Sequence, residues 1–442
     1  MKLKVMKKKI FIIEYDLLSP LGCGKDEVFR SLKTNYAAEK KISRFDTTGL
    51  PFDIAAEIPY SLEEFYRNEN EEIRAVIAYD RKFELAVSVY GLMKERLISI
   101  FRLVSPDRKG VIFGMGADVA PFEMLMDELV EQINSSDPYF NSIIQKNKNS
   151  GNLNLVFNPY DLSSIYLAEK LELGAFQRTC VTACAASNQA VGLAFQAIQN
   201  EEADLVLAGG SDSILNAMAF ASFLKLGVLS GISENGKTCK PFDLNRSGTL
   251  AGEAAGLCVL ASEHFIKENN ITPLFEILSY GTSLDAYQIT SPDPKGIGMM
   301  RAIEEAVLSS GIEKTDIDYI NLHGTGTRLN DHLEIMSLKN VFGSSLKKIP
   351  ISSTKDRHGH CIAAAGIQEL SILCMSLQNN FIPYNMNLEK PMDTDNTDLV
   401  QYENRYTELS VGMNCNYSFG GVNTALIIKK NKLKLYGSGT ER

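Results

Sequence analysis

What the chain lacks narrows its identity first. No apolar stretch approaches the ~20 residues that span a bilayer. The apolar run Ile10–Ile13, after the basic start Met1 to Lys9, stops at Glu14 and Asp16, far short of a signal-peptide core of ~7–15 residues. The protein is therefore expected in the cytoplasm, with no membrane span. Positive charge is not in excess: 45 Lys and Arg stand against 54 Asp and Glu, a formal net charge of −9. That balance argues against a surface built to hold polyphosphate backbones, so nucleic acid is not an expected partner. The eight cysteines (Cys23, Cys180, Cys184, Cys239, Cys258, Cys361, Cys374, Cys415) form no CxxC pair and lie mostly inside apolar runs. This favours reduced, buried thiols over disulfides. Cys180 and Cys184 are four apart, and no second pair with ligand spacing completes a metal site. Low-complexity tracts and short-period repeats are missing too. Histidine is scarce, with five in 442 residues.

What is there is a chain of 45% hydrophobic residues, enough for one large core or two to three ordinary ones. β-rich runs at Lys9–Tyr15, Val111–Phe113, Thr179–Thr182, Leu205–Ala208 and Gly256–Leu260 are separated by apolar residues at helical spacing, such as Phe83, Val87, Tyr90 and Ala190, Leu193, Ala194, Ala197. A second series follows at Leu274–Leu278, Tyr319–Leu322, Ile349–Ser352, Val411–Asn414 and Thr424–Ile428, interleaved with helices over Met299–Ser309 and Ile362–Leu377. This is α/β patterning in two similar halves that meet near Ser262–Thr272. We assign residues 1–262 to an N-terminal half with a cap-like insertion near 117–178, residues 263–430 to a C-terminal half, and 431–442 to a tail. Val130 to Leu155, rich in Asn, Ser and Lys, reads as an elaborated loop.

Four clusters carry chemistry. In Cys-Val-Thr-Ala-Cys-Ala-Ala-Ser (Cys180 to Ser187) a strand ends at Cys184 and small residues open a helix to about Ile198. A cysteine at a helix N-terminus is expected to have its thiol pKa lowered from ~8.5, and the free N–H groups there can cradle an oxyanion. The second cluster is Asn-Leu-His-Gly-Thr-Gly-Thr (Asn321 to Thr327), followed by Asn330, Asp331 and Glu334. Here a strand leads into His323, and the Gly-Thr-Gly-Thr loop can bind a polar tether. The third, Ser352 to His360 followed by Ala363-Ala364-Ala365-Gly366, repeats the order strand, polar residues, small-residue helix start. Four of the five histidines (His323, His332, His358, His360) fall in or beside these two clusters. The fourth cluster, Asn416 to Asn423, contains Gly420 and Gly421, whose freedom of backbone angle lets an N–H near Phe419 complete an oxyanion hole. A loop, Lys240 to Gly248, enters a glycine-rich strand.

Together, Thr-Ala-Cys, His-Gly-Thr-Gly-Thr, Lys-x-x-x-Gly-His, Pro-Phe-Asp-x-x-Arg and Phe-Gly-Gly-x-Asn, with Ser19-Pro20-Leu21-Gly22 and Arg44-Phe45-Asp46 near the start, resemble the β-ketoacyl-ACP synthases of the elongating type. The resemblance covers nearly the whole chain. It implies a thiolase-like fold with a five-layered αβαβα core, a homodimer or a heterodimer, and acyl carrier protein as partner. It implies no cofactor or metal, the substrates arriving on the carrier's phosphopantetheine. Residue by residue, it implies Cys184 as nucleophile, His323 and His360 as catalytic histidines, and Lys355 with Glu334 as a supporting ion pair. Phe419 then gates the acyl pocket, while Thr325, Thr327, Gly420 and Gly421 are placed as substrate contacts.

The chain departs from the family pattern in places. Asn416, Tyr417 and Ser418 stand where Ser, Phe and Gly are common, and Cys415 where Asn is usual. Gly114-Met-Gly-Ala-Asp lacks the usual glycine run, and Leu173-Gly-Ala-Phe-Gln lacks Gly-x-x-Gly-Pro. The implied activity is decarboxylative condensation of an acyl thioester with malonyl-ACP, in fatty-acid or in specialised polyene- or polyketide-like synthesis. The alternative is a non-catalytic partner subunit of a condensing heterodimer, which would normally have lost the nucleophile.

Overall fold

Alternation of side chains along each strand explains why the strands read as unbroken apolar runs. In the computed structural model, which describes residues 8–116, 159–231, 237–392 and 397–431, successive residues of one strand enter two different cores. Ile112, Val206, Ala208, Cys258 and Leu260 face one apolar cluster, while their neighbours Val111, Phe113, Leu205, Leu207, Leu257 and Val259 face another. A sheet covered on both faces has no polar side to show.

The first half contributes β1 (Ile10–Ser19) with its short partner β2 (Gly22–Cys23), a ribbon of β3 (Glu39–Lys41) and β4 (Ile54–Ala56), then β5 (Lys109–Met115), β6 (Gln177–Cys180), β7 (Leu205–Ser213) and β8 (Glu253–Ser262). The second contributes β9 (Phe275–Leu284), β10 (Tyr319–Asn321), β11 (Ile351–Ser352), a ribbon of β12 (Phe381–Ile382) and β13 (Arg405–Tyr406), then β14 (Val411–Tyr417) and β15 (Val422–Lys430). Each of the ten expected strands has an observed counterpart.

β1 and β9 pair antiparallel through Ile10–Ile12. Outward from that seam the first half runs β1, β8, β7, β5, β6 with pairings antiparallel, antiparallel, parallel, parallel. The second runs β9, β15, β14, β10, β11 with the same sequence of pairings. Two copies of one topology therefore share the sheet.

The helices Ala186–Gln199 and Ala365–Asn379 pack against each other and against strands of both halves, forming a middle layer. Arg81–Phe101 and Leu162–Leu171 cover the outer face of the first half, and Ile297–Ser310 with Arg328–Phe342 cover that of the second. The result is the expected five layers, αβαβα. The middle helices touch where Gly366 meets Asn188: a Cβ on Gly366 would lie 2.5 Å from the Asn188 backbone nitrogen, so only glycine permits the approach. The expected loop Val130–Leu155, residues 432–442 of the tail and most of the basic start lie outside the described residues, as does the main part of the 117–178 insertion.

Candidate active site

The strand before the nucleophile ends earlier than its sequence suggests. β6 stops at Cys180, and Cys184 sits in a 3₁₀ turn, Ala183–Ala185, before the helix opens at Ala186. Ala183 has φ 45°, a left-handed conformation that non-glycine residues rarely adopt, so the turn is strained by about 1–3 kcal/mol. It leaves Cys184 buried, at 6% exposure.

His323 follows β10. Its backbone N–H and that of Gly324 donate to the Glu334 carboxylate at 2.7 and 2.8 Å, which fixes the turn leaving the strand. His360 is pinned by its backbone instead: its N–H donates to Leu250 O at 2.7 Å, and its carbonyl accepts from Gly252 at 3.2 Å. These anchors bring His360 Nε2 to 3.1 Å from Cys184 Sγ. The two imidazoles stand edge to face with centroids 5.2 Å apart, and ligand atoms of Cys184, His323 and His360 all lie within 4.8 Å of one another.

The expected Lys355–Glu334 ion pair does not form. Lys355 Nζ pairs with Glu369 and donates to His323 O at 2.5 Å, while Glu334 is occupied by the two backbone N–H groups. The reason is direction. Lys355 starts a short helix, Lys355–His358, aimed into the middle layer, and Glu369 is the residue of the helix Ala365–Asn379 that faces it. Glu369 was legible in principle, being the only charged residue in that helix. Removing one partner of such a buried pair costs about 3–5 kcal/mol.

Burial sets the titration of the site. It pushes the Cys184 thiol up from 9.0 to about 12, against the pull of the Lys355 ammonium and of the Phe419 and Cys184 backbone N–H groups. That rise corresponds to about 4 kcal/mol, more than the ~2 kcal/mol a helix terminus supplies at best. The expectation of a lowered thiol pKa is thereby corrected: the resting group is a thiol. Burial, followed by the Lys355 charge, holds His323 and His360 well below the ordinary imidazole range, so both rings are neutral. Glu334 is pushed up to about 8 by burial, opposed by the N–H of Gly324.

A cavity of about 530 Å³ opens onto these groups, lined by Cys184, His323, His360, Thr325, Thr327 and Phe419 among others. Thr325 and Thr327 hydroxyls lie 2.9 Å apart. The Lys240–Gly248 loop buttresses them: Gly248 N–H donates to Gly326 O at 3.1 Å, and Arg246 donates to Thr327 O at 3.2 Å. Gly420 and Gly421, expected as substrate contacts, lie beside the lining residues Phe419 and Asn423. With φ of 81° and 79° they make the turn that presents Phe419. Of the other histidines, His332 is exposed, His264 lies on the surface, and His358 is buried against Thr354 Oγ1 at 2.9 Å.

Sulfur and two imidazoles at this spacing are also a donor set that zinc favours. Behind His323, however, Lys355 Nζ and Asn416 Nδ2 both lie 3.3 Å from Nδ1. Two donors face Nδ1, so a metal would have to be held through Nε2.

Residues 7–265 match the family model "Beta-ketoacyl synthase, N-terminal domain" and residues 274–389 match "Beta-ketoacyl synthase, C-terminal domain". The 3-oxoacyl-[acyl-carrier-protein] synthase 2 of Staphylococcus aureus (strain COL) is 29% identical over 426 residues, 96% of this chain and 98% of that one. A beta-ketoacyl synthase structure from Burkholderia phymatum STM815 superposes with a TM-score of 0.82 at 25% identity, covering 96% of this chain and all of that one (100%). The fold is shared as well with AntDE:AntF, a type II PKS acyl-carrier protein in complex with its ketosynthase bound to the hexaketide, at TM-score 0.79 and 21% identity over 96% of this chain and 100% of that one. Since the two family models and the curated relatives together span almost its whole length, the chain belongs to the beta-ketoacyl synthase family.

Proposed function

We propose that this chain is a β-ketoacyl-ACP synthase that joins an acyl thioester to malonyl-ACP by decarboxylative Claisen condensation. One observation carries the reading: a buried thiol with His360 Nε2 at 3.1 Å and a second neutral imidazole beside it, all opening on one cavity. The acyl carrier delivers its chain, and the Cys184 proton passes to His360 as sulfur attacks the thioester carbon. The N–H groups of Cys184 and Phe419, which draw the thiol's pKa down in the resting site, hold the tetrahedral oxyanion. The carrier sulfur takes that proton from His360 as it leaves, so the ring is neutral again and an acyl-cysteine remains.

Malonyl-ACP then enters along Thr325 and Thr327. Loss of carbon dioxide leaves an enolate whose oxygen accepts from Nε2–H of His323 and from Nε2 of His360, whose ring hydrogen moves from Nδ1 to Nε2 between the two half-reactions. Its carbon attacks the acyl-cysteine, the carbon–sulfur bond breaks, and the Cys184 sulfur takes up a proton. Neutral rings suit this step, because they donate hydrogen bonds without placing further charge beside Lys355. We assign the nucleophile to the half 1–262 and the histidines to the half 263–430, with the remainder of the chain as tail. The reaction so read uses no cofactor of the enzyme's own.

The setting is fatty-acid or specialised polyene- or polyketide-like synthesis, in the cytoplasm, with acyl carrier protein as partner and a second synthase subunit, identical or not, completing a dimer. Among the described residues no helix is long and apolar enough to cross a membrane. Intact-mass analysis after mixing the protein with a panel of acyl-ACPs tests the reading. Acyl mass on the protein, and 3-oxoacyl-ACP once malonyl-ACP is added, are expected; a protein that stays unacylated by every carrier contradicts it.

A further inference from the structure

His323 carries its hydrogen on Nε2 only if something holds Nδ1 as an acceptor, and the side chain that completes this arrangement is Asn416, fully buried on β14. Its orientation can be read from its neighbours. Backbone carbonyls only accept, so the amide nitrogens of Asn414 and Asn321 are fixed by Gly366 O at 3.2 Å and Glu369 O at 3.3 Å. Asn414 Nδ2 then also donates to Asn416 Oδ1 at 3.2 Å. That leaves the Asn416 nitrogen facing the other way, where it donates to Glu369 Oε2 at 2.6 Å and meets His323 Nδ1 at 3.3 Å. Asn414 Nδ2 lies 3.3 Å from Asn188 Oδ1, on the helix that begins just after Cys184. A chain of amides thus runs from the nucleophile's helix to the back of the catalytic ring.

Resting on the condensing reaction proposed above, we infer that Asn416 is a positioning residue that, together with Lys355, fixes His323 as the Nε2–H tautomer and so presets the hydrogen-bond donor that the enolate oxygen needs. Lys355 gives the ring one of its three N–H groups, the other two going to Glu369 and His323 O. Asn416 ties Glu369 and the ring into one rigid set. The residue acts through His323 and touches no reacting atom.

The substitution Asn416→Asp keeps the shape; the new carboxyl shares a proton with Glu369 beside it and turns an accepting oxygen to the ring, which draws the ring hydrogen to Nδ1. Protein labelled with ¹⁵N in its imidazoles, with the His323 signals assigned by their loss in His323→Ala, reads the tautomer directly. Wild type is expected to show Nε2–H through the neutral pH range and Asn416→Asp to show Nδ1–H. The same variant is expected to decarboxylate malonyl-ACP at least about a hundredfold more slowly, the cost of one lost oxyanion donor, while still gaining acyl mass at Cys184. Wild-type His323 with its hydrogen on Nδ1 overturns the inference, as does an Asn416→Asp enzyme with unchanged decarboxylation. If Asn416→Asp does not fold, Asn416→Leu, which removes the donor without adding a carboxylate, is read in the same way, and an unchanged tautomer and unchanged decarboxylation in it overturn the inference. Failure of Cys184 to acylate at all in wild type would instead contradict the condensing reaction and leave the tautomer result standing on its own.

Discussion

The turn at Cys184 and the turn at Ala363 are built alike and used differently. In each, a strained residue (Ala183 at φ 45°, Ile362 at φ 40°) opens a short 3₁₀ turn, and alanines lead into a helix of the middle layer. A β-branched residue in that conformation is a marked outlier. Because the strain occurs in both copies, it belongs to the duplicated scaffold rather than to the reactivity of the cysteine. The copies differ in what surrounds the turn. In the first half the strand ends at Cys180 and the turn follows at Ala183; in the second the strand ends at Ser352 and the turn waits until Ile362. That longer connection carries Lys355 and His360. One half supplies the sulfur, and the other uses the equivalent region for hydrogen-bond donors.

Exchanging the two turns breaks this comparison most severely. Cys184→Ala is expected to abolish acyl labelling and to lower condensation at least about a thousandfold. Adding Ala363→Cys in that background is expected not to restore labelling, because a cysteine there gains the turn without the facing histidines. Recovery of acyl mass at position 363 by intact-mass analysis would mean that the turn itself makes the nucleophile. Next in size, His323→Ala should keep acylation while condensation falls by about 10²–10⁴-fold; normal product formation would remove the enolate role.

A smaller effect separates burial from the helix terminus. A thiol held at about 12 stays protonated through the neutral and mildly alkaline range, and alkylation requires the thiolate. The rate of iodoacetamide modification at Cys184 should therefore rise about tenfold per pH unit between about pH 7 and 10. A plateau reached below about pH 8 would mean that the helix terminus prevails. Smallest of all, Ala183→Gly should leave stability unchanged or raise it by up to about 2 kcal/mol, since relief of strain is partly offset by the added freedom of the unfolded chain. A loss of several kcal/mol on denaturation would show that Ala183 is unstrained and well packed.

Much of this was legible in the sequence. The ten strands announced themselves because both faces of the sheet are buried, and the positions of Cys184, His323 and His360 followed from small residues and histidines placed just after strands. What stayed hidden was pairing across the middle layer. Lys355 and Glu369 are fourteen positions apart across a turn and a helix start; the family resemblance pointed to Glu334, and only the lone charge in an otherwise uncharged helix marked Glu369. Asn416 was visible only as a departure from the family pattern, because its task depends on Asn414 and Glu369 arriving from other elements. The thiol's titration was misjudged for a similar reason: the helix terminus is local, whereas the burial that outweighs it comes from the fold.

The most direct test of the account follows a single turnover. Acyl-loaded enzyme, freed of excess carrier, is given malonyl-ACP while carbon dioxide release and intact mass are followed together. The acyl mass on Cys184 is expected to disappear with one equivalent of carbon dioxide and to reappear, extended, as 3-oxoacyl-ACP. Loss of the acyl group as free acid, with no carbon dioxide released, would contradict the account.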